Sequence, residues 1–267
     1  MFKIGDYVTR KSYNNDILFE VVDIDEDIAY LKGIDVRLYA DSYLDDLLLA
    51  DVDILNNDKN DDRNYALKIK DMLSLDRSEF FYLPGKILHI DGDKDYLKRC
   101  IEFYKEMRLE AYGVNILEDE FEKEIVTCLE KYNPDILVIT GHDSFKKNKD
   151  KNKLDSYQNS YNFVKATMKA REYERNQDKL IIIAGACQSF YEDLIKAGAN
   201  FASSPKRINI HALDPAIIAS TIALSPKNKE IDLISVIEKT HYGSAGMGGI
   251  ITNGVMYVGY PRWILIK

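Results

Sequence analysis

Cys187 and His142 are the residues of this 267-residue chain whose types and positions suggest covalent chemistry. The run Ile-Leu-Val-Ile-Thr-Gly precedes His142, and the run Ile-Ile-Ile-Ala-Gly-Ala precedes Cys187. A thiolate is a nucleophile, and a nearby imidazole can take the thiol proton and later give it to a leaving amine. The pair therefore indicates hydrolysis of an amide bond by a cysteine, which needs neither a metal nor an organic cofactor.

The apolar runs before these two residues predict strands of a parallel sheet. Apolar segments at 86–91, 111–117, 135–140, 180–185 and 200–204 alternate with helical spacing at 94–109, 121–132, 160–175 and 190–197. Strands that are apolar on both faces and alternate with helices predict a three-layer α/β fold with a mostly parallel sheet, caspase-like or flavodoxin-like. Because catalytic groups of such folds lie beyond the carboxyl ends of the strands, we expect His142 and Cys187 at one edge of the sheet.

Residues 1–55 are predicted to form a small β-rich module. Four short strands, three of them at 17–24, 28–33 and 36–40, are separated by tight polar turns, which favours an SH3-like barrel. The alternative is that these strands extend the main domain. Residues 56–83 are interpreted as a linker and a helix, and residues 84–267 as the α/β peptidase domain. Because the linker offers few contacts, removal of residues 1–50 is expected to leave a folded α/β domain.

Charge and cysteine content exclude several classes of protein. The chain has 36 basic and 44 acidic residues, a net charge of −8 that argues against a nucleic acid as partner. Three cysteines without a CxxC pair predict neither a disulfide framework nor a zinc ribbon. The longest apolar runs are far shorter than the roughly 20 residues of a membrane span, and no signal peptide is recognisable. We therefore expect an intracellular protein with free thiols and no membrane partner.

The other cysteines and histidines have simpler interpretations. Cys100 and Cys128 fall on the apolar stripes of predicted helices, so they are expected to pack in the core. His89 lies inside a strand, and His211 precedes the predicted helix start at Asp214-Pro215. The glycine-rich segment 243–249 lacks the GxxxxGK[ST] pattern of a phosphate loop and is interpreted as a flexible loop near the active site.

The segments Lys3-Ile4-Gly5-Asp6-Tyr7-Val8, Gly141-His142-Asp143 and Gly185-Ala186-Cys187-Gln188-Ser189 resemble the YabG sporulation-specific proteases of spore-forming Firmicutes, and the resemblance covers nearly the whole chain. It implies a cysteine endopeptidase of the mother-cell cytoplasm, associated with the spore coat, that processes coat and germination-related proteins next to basic residues. The caspase, gingipain and clostripain group is similar more distantly. In that group a glycine follows the histidine, whereas here Gly141 precedes it and Asp143 follows it.

These patterns assign a role to each candidate residue. Cys187 is the predicted nucleophile and His142 the general base and then acid, with the Cys187 N–H as one oxyanion donor. Gly141, Asp143 or Ala186 is expected to supply the second backbone donor. A protease that cuts after arginine needs a carboxylate in its substrate pocket, and the segment from Ser204 to Asp214 follows the fifth strand. Asp214 is the candidate there; the alternative is that it caps the helix that starts at Pro215.

Two other functions remain open. A non-catalytic spore-coat scaffold would use the β-rich N-terminus to dock a partner. A cysteine-dependent amidohydrolase would act on small amides, although His142 before Cys187 is the reverse of the order usual in glutamine amidotransferases. If Cys187 is an exposed catalytic thiolate, iodoacetamide is expected to alkylate it far faster than the other two cysteines.

Overall fold

The computed structural model describes residues 2–50, 64, 65, 67, 79–227 and 229–262. Its N-terminal part is an antiparallel sheet of five strands: β1 (Tyr7–Arg10), β2 (Phe19–Asp25), β3 (Ile28–Gly33), β4 (Tyr39–Tyr43) and β5 (Leu47–Leu49). The strand order is β4-β3-β2-β1-β5. Alternate side chains such as Phe19, Val21 and Leu31 face inwards and form a small core of their own.

A six-stranded sheet forms the centre of the remaining chain. Its strands are β7 (Ile87–Asp91), β8 (Ala111–Asn115), β9 (Ile136–Thr140), β10 (Ile181–Ala184), β11 (Phe201–Ser203) and β12 (Met247–Gly249), in the order β12-β11-β10-β9-β7-β8. All neighbours are parallel except β12, which pairs antiparallel with β11 at the edge. Two further strands, β6 (Phe81–Leu83) and β13 (Tyr257–Gly259), form a separate antiparallel pair.

Helices cover both faces of this sheet. They are α1 (Lys94–Glu106), α2 (Phe121–Tyr132), α3 (Ser160–Tyr173), α4 (Tyr191–Lys196), α5 (Asp214–Ala223), α6 (Leu233–Ile237) and α7 (Gly243–Gly246). Successive strand residues join opposite cores: Ile181 and Ile183 pack with α1 and α5, whereas Ile182 packs with α2, α3 and α4. This arrangement confirms the predicted three-layer α/β fold with a mostly parallel sheet. Among the helices that the model describes, none is long and apolar enough to span a membrane.

Several boundaries differ from the sequence prediction. The predicted strand at 36–40 begins only at Tyr39, because residues 34–38 form a loop that contacts the α/β part. A fifth N-terminal strand, β5, was not predicted, and closure of the sheet into an SH3-like barrel stays a prediction. The predicted linker at 56–83 includes β6 at its end, whereas its polar stretch at 56–63 lies outside the described residues. The glycine-rich segment 243–249 is not an open loop but α7 followed by β12.

The N-terminal sheet is joined to the α/β part by a buried ion pair. Arg37 and Asp91 are both 0 % exposed, and the Arg37 Nη1 contacts Asp91 Oδ2. The Arg37 Nη2 also donates to the Ala212 carbonyl at 3.1 Å. Lys32 adds a second bridge, with its Nζ 3.1 Å from Asp93. Removal of residues 1–50 would leave Asp91 buried without its countercharge. That a folded α/β domain remains after this removal stays a prediction, and the ion pair weighs against it.

We predict that Arg37→Ala lowers the free energy of unfolding by about 3–5 kcal/mol, because breaking a buried pair leaves an uncompensated charge. Adding Asp91→Asn to this variant removes that charge and is expected to restore part of the loss. Urea unfolding at pH 7 measures both effects. Arg99→Ala is the control, because Arg99 pairs with Asp35 at a half-exposed position and its loss is expected to cost about 1 kcal/mol or less.

The loss in free energy of unfolding caused by Arg37→Ala is expected to depend on pH. Burial acts to raise the pKa of Asp91, but the charge of Arg37, the interactions with His89 and the hydrogen bond from the Asp93 N–H together outweigh burial and lower this pKa to about 2. A carboxyl group whose pKa is lowered by folding contributes stability above its ordinary pKa of about 4 and loses it as the pH falls towards 2. The gap between wild type and Arg37→Ala should therefore shrink over that range. If Arg37→Ala lowers the free energy of unfolding at pH 7 by no more than Arg99→Ala does, the Arg37–Asp91 pair is not a stabilising buried ion pair.

Candidate functional site

Cys187 lies just beyond the carboxyl end of β10, where the chain turns sharply. Gly185 provides this turn with a φ of +107°, a conformation that side chains with a Cβ rarely adopt. The Cys187 side chain is 0 % exposed, and its Sγ accepts a hydrogen bond from the Ile210 N–H at 3.3 Å. The expectation of an exposed thiol is therefore wrong for this conformation, because the segments around residues 37 and 210 cover it.

Burial raises the pKa of the Cys187 thiol to about 12. The backbone N–H groups of Ile210 and Arg37 and the guanidinium charge of Arg37 act in the opposite direction, since each stabilises a thiolate. Burial exceeds these effects, so the thiol is protonated at neutral pH in this conformation. Solvent access would remove the largest cause of the raised pKa, and the Ile210 N–H would still donate to the sulfur.

His142 follows the neighbouring strand β9 and is oriented by a carboxylate. Its Nε2 lies 2.9 Å from Asp93 Oδ2, and its ring packs edge-on against Tyr39 at 4.6 Å between centroids. The other ring nitrogen, Nδ1, faces the Arg37 carbonyl oxygen at 3.4 Å. When Asp93 accepts the Nε2–H of the neutral imidazole, Nδ1 is the basic nitrogen. It then faces the Arg37 carbonyl oxygen without a hydrogen bond, because both atoms are acceptors.

Asp93 is held as an ionised carboxylate by several donors. It caps α1 by accepting hydrogen bonds from the Asp95 and Tyr96 N–H groups, and Lys32 Nζ lies beside it. Burial acts to raise its pKa, but the hydrogen bonds from His142 and Tyr96 and the charge of Lys32 hold it well below the usual range of a carboxyl group. Asp93 therefore supplies a fixed negative charge to the Nε2 side of His142.

The predicted oxyanion donors lie in a crowded turn. A Cβ at Gly141 would lie 2.4 Å from Glu118 Oε1, and the same oxygen accepts the His142 N–H at 2.7 Å. The Ala186 N–H donates to Ser189 Oγ at 2.9 Å. Within the described residues the Cys187 N–H has no hydrogen-bond partner. The Cys187 N–H is therefore available to a substrate oxygen, whereas the Ala186 N–H is already engaged by Ser189.

Asp143 links the ends of β9 and β10. Its carboxylate accepts hydrogen bonds from Ser189 Oγ at 2.9 Å, from the Asn159 N–H at 2.8 Å and from the Ser160 hydroxyl at the start of α3. Burial raises its pKa, and these hydrogen bonds oppose that shift. The side chain of Asp143 therefore fixes the two strand ends relative to each other and does not face the thiol.

A hydrogen-bonded network extends from Asp91 into the core beneath the site. Asp91 accepts from Thr140 Oγ1 at 2.8 Å, and Thr140 Oγ1 lies 2.7 Å from His89 Nε2. The opposite nitrogen of His89 lies 3.0 Å from the Tyr104 hydroxyl. Burial lowers the pKa of His89, so its imidazole is neutral at pH 7. These contacts agree with the structural role expected for His89 and fix the Asp91 carboxylate towards Arg37.

Asp214 and Ser204 have structural contacts at the positions predicted for a substrate pocket. Asp214 is 0 % exposed, and its two oxygens accept the N–H groups of His211 at 2.9 Å and His241 at 2.8 Å. Its side chain makes no capping bond to its own helix. Ser204 is also buried and its hydroxyl donates to the Ile208 carbonyl. Both residues bring loops together, and the charge of Asp214 also acts to raise the pKa of the Cys187 thiol.

A small cavity lies beside these loops, next to residues 35 and 36. It has a volume of about 170 Å³, and its wall includes Val36, Tyr65, His211, His241 and Tyr242. The His211 and His241 rings stack at 5.5 Å, and the Tyr65 hydroxyl lies 2.8 Å from His241 Nδ1. Val36 and His211, which both line the cavity, also pair with each other in an isolated β-bridge.

Comparisons with known proteins agree with this arrangement. The family described as YabG peptidase U57 matches residues 3–261. The Sporulation-specific protease YabG of Bacillus subtilis (strain 168) is 40% identical over 284 residues, which cover 97% of this chain and 98% of that protein. The chain belongs to the YabG peptidase family. It is thus a peptidase, and the comparisons support a protease of sporulation. No solved structure matches it.

The structure adds site residues that sequence reasoning missed in this YabG-family chain. Asp91 and Asp93 follow the first strand of the central sheet, so the rule that selected the ends of β9 and β10 could have selected them as well. Arg37 lies in the N-terminal part, and nothing in its local sequence indicates that it crosses to the site. In the part of the chain that the structure describes, no group of three His, Cys, Asp or Glu side chains is arranged to hold a metal ion.

The geometry of Asp214 generates a prediction for this YabG-family peptidase. Asp214→Asn is expected to lower the melting temperature by several degrees, because one of the two accepted N–H bonds is weakened in a buried position. The ratio of kcat/KM on arginine and alanine peptides should stay unchanged, since the carboxylate contacts backbone groups only. Thermal unfolding and peptide kinetics measure the two effects. A selective loss on the arginine peptide would instead place Asp214 in the substrate pocket.

Proposed function

We propose that this chain is a sporulation-specific cysteine endopeptidase in which Cys187 is the nucleophile and His142 is the general base and then acid. The observation that carries the proposal is the position of both residues at carboxyl ends of adjacent parallel strands, with His142 oriented by Asp93. Membership of the YabG peptidase family supports the reaction class.

The reaction begins when His142 Nδ1 takes the proton of the Cys187 thiol and the sulfur attacks the peptide carbonyl. The Cys187 N–H stabilises the oxyanion that forms. When the tetrahedral intermediate collapses, the C–N bond breaks and His142 gives its proton to the leaving amine. His142 then activates a water molecule, which hydrolyses the thioester and restores the thiol. Asp93 stabilises the imidazolium in both half-reactions because it stays ionised beside Nε2.

The finer functional assignments follow from the family resemblance. We propose that the substrates are spore coat and germination-related proteins, cut next to basic residues. The proposed place of action is the cytoplasm of the mother cell, with association with the spore coat. The name of the B. subtilis relative supports the sporulation context. The scaffold alternative predicts no Cys187-dependent cleavage, and the amidohydrolase alternative predicts cleavage of small amides without cleavage of proteins.

We predict that Cys187→Ala abolishes cleavage of a spore-coat extract, with products identified by N-terminal sequencing. His142→Ala is expected to lose at least about a hundredfold in rate, because it removes the general base. Cys128→Ala is the matched control: Cys128 is a buried cysteine on α2, away from the strand ends, and its loss should leave cleavage unchanged. Circular dichroism confirms that each variant folds.

Full proteolysis by a folded Cys187→Ala variant would exclude the proposed nucleophile. Wild-type rates for His142→Ala would instead assign the base to another residue, with His211 and His241 as the next candidates because they line the adjacent cavity. Cleavage of small amides alone, with intact coat proteins, would favour the amidohydrolase.

A further inference from the structure

Residues 33–38 form a loop, here called the covering loop, whose backbone is bound as an added strand. Val36 pairs with His211 in an antiparallel bridge, and the Ala212 N–H donates to the Asp35 carbonyl at 2.7 Å. Proteins commonly bind extended peptides by such backbone pairing, while pockets receive the alternate side chains. The covering loop therefore pairs with the segment after β11 through its backbone, as a bound peptide would.

The backbone of Arg37 lies between the two proposed catalytic residues. Its N–H lies close enough to the Cys187 Sγ to act to lower the pKa of the thiol, and its carbonyl oxygen lies 3.4 Å from His142 Nδ1. A substrate must place its own carbonyl between the same two groups, because the sulfur attacks it and the imidazole exchanges the proton. Arg37 and a substrate residue therefore cannot occupy this space together.

The side chain of Arg37 is enclosed in a pocket that ends on a carboxylate. Its guanidinium contacts Asp91 and donates to the Ala212 carbonyl at 3.1 Å, and Arg37 Nη2 lies 3.4 Å from Cys100 Sγ. Arg171 offers a contrast, because it binds the backbone carbonyls of Gly198 and Leu180 and makes no ion pair in the described part of the chain. The Arg37 pocket thus has the carboxylate that recognition of an arginine side chain requires.

We propose that the covering loop is a built-in occupant of the substrate site, with Arg37 in the place of the substrate residue before the cut and Asp91 as its recognition carboxylate. This inference rests on the proposed function, since it needs Cys187 and His142 to be the catalytic pair. The burial of both Arg37 and the thiol then has one cause: the site is occupied by the enzyme's own chain. Substrate enters when the covering loop leaves.

Contacts at the outer side of the covering loop hold it in place. Arg99 donates to the Ile34 carbonyl at 3.1 Å and pairs with Asp35 at 2.7 Å, and both charged side chains are partly exposed. The Tyr96 hydroxyl lies within hydrogen-bonding distance of the Gly33 and Val36 carbonyls. Arg99 can therefore be changed to loosen the loop without touching Arg37 or Asp91.

The test compares the full chain in five forms: wild type, Arg37→Ala, Arg99→Ala, the double variant Arg37→Ala with Asp91→Asn, and the control Arg171→Ala. We expect Arg37→Ala to raise kcat/KM on an arginine peptide at least tenfold, mainly through KM, because substrate no longer competes with the loop. Arg99→Ala should give a smaller increase of several-fold, and Arg171→Ala none. In the Arg37→Ala background, adding Asp91→Asn should reduce the preference for arginine over alanine peptides at least tenfold.

A peptide with the sequence of residues 33–40 provides a second measurement. It should inhibit the Arg37→Ala variant competitively, whereas the same peptide with alanine in place of arginine should not. Iodoacetamide should alkylate Cys187 faster in Arg99→Ala than in wild type, and this readout needs no activity. If Arg37→Ala does not fold, Arg99→Ala decides the kinetic and alkylation tests.

The two proposals fail in different ways. Cleavage that persists in Cys187→Ala overturns the proposed function. Cys187-dependent cleavage that is no faster in Arg99→Ala and in folded Arg37→Ala than in wild type overturns the built-in occupant only. An unchanged preference for arginine after Asp91→Asn likewise overturns the assignment of Asp91.

Discussion

The ion pair between Arg37 and Asp91 is the interaction on which the geometry of the site depends. Two fully buried charges persist only when their contact is close and their other hydrogen-bonding positions are filled, because each ion costs several kcal/mol to remove from water. Asp91 also accepts hydrogen bonds from Thr140 at 2.8 Å and from the Asp93 N–H at 2.9 Å. One carboxylate thus joins the N-terminal loop, the end of β9 and the residue that orients His142.

The two carboxylates of the segment Asp91-Gly92-Asp93 interact with different positively charged or polar groups. Asp91 points inwards to a guanidinium, whereas Asp93 points across the strand ends to the imidazole of His142. A Cβ at position 92 would lie 2.3 Å from the Glu118 carboxylate, so a larger residue there would push this carboxylate away from the His142 N–H that it accepts. Both carboxylates are kept ionised by their partners, so the site holds its charges before any substrate arrives.

The sequence was sufficient to predict the parts of this structure that depend on local pattern. Apolar runs of strand length predicted the central sheet, and the strand-end rule placed His142 and Cys187 at one edge, since parallel strands with right-handed crossovers leave little other choice. The covering loop was misread as a strand because Val36 and Leu38 alternate with polar residues as strand residues do. Its true position depends on partners more than 50 residues away, such as Asp91 for Arg37 and Tyr96 for Gly33.

The burial of Cys187 also depends on contacts between residues that are distant in sequence. Periodicity gives the location of a strand end but not what covers it, so an exposed thiol was the natural expectation from sequence alone. The structure instead encloses the sulfur beneath two segments that are distant in sequence. The search for a specificity residue meets the same limit: the sequence indicates Asp214 as the nearest carboxylate along the chain, whereas the proposed recognition carboxylate, Asp91, contacts the Arg37 guanidinium in space.

The raised pKa of Cys187 is consistent with its proposed role as nucleophile if the enzyme is inactive while the covering loop occupies the site. The pKa then describes the closed state and not the state that reacts with substrate. Suppose that the covering loop is out of the site in about one molecule in a hundred. The apparent affinity for substrate is then about a hundredfold lower than that of the open form, and the closed state is favoured by about 2.7 kcal/mol. A segment of the same chain reaches an effective concentration of about millimolar without a high intrinsic affinity. A protein substrate that makes additional contacts along the same backbone groups can bind tightly enough to displace the covering loop, whereas a short peptide cannot. Occupation by the chain itself therefore protects the thiol and selects for extended protein substrates by the same contacts.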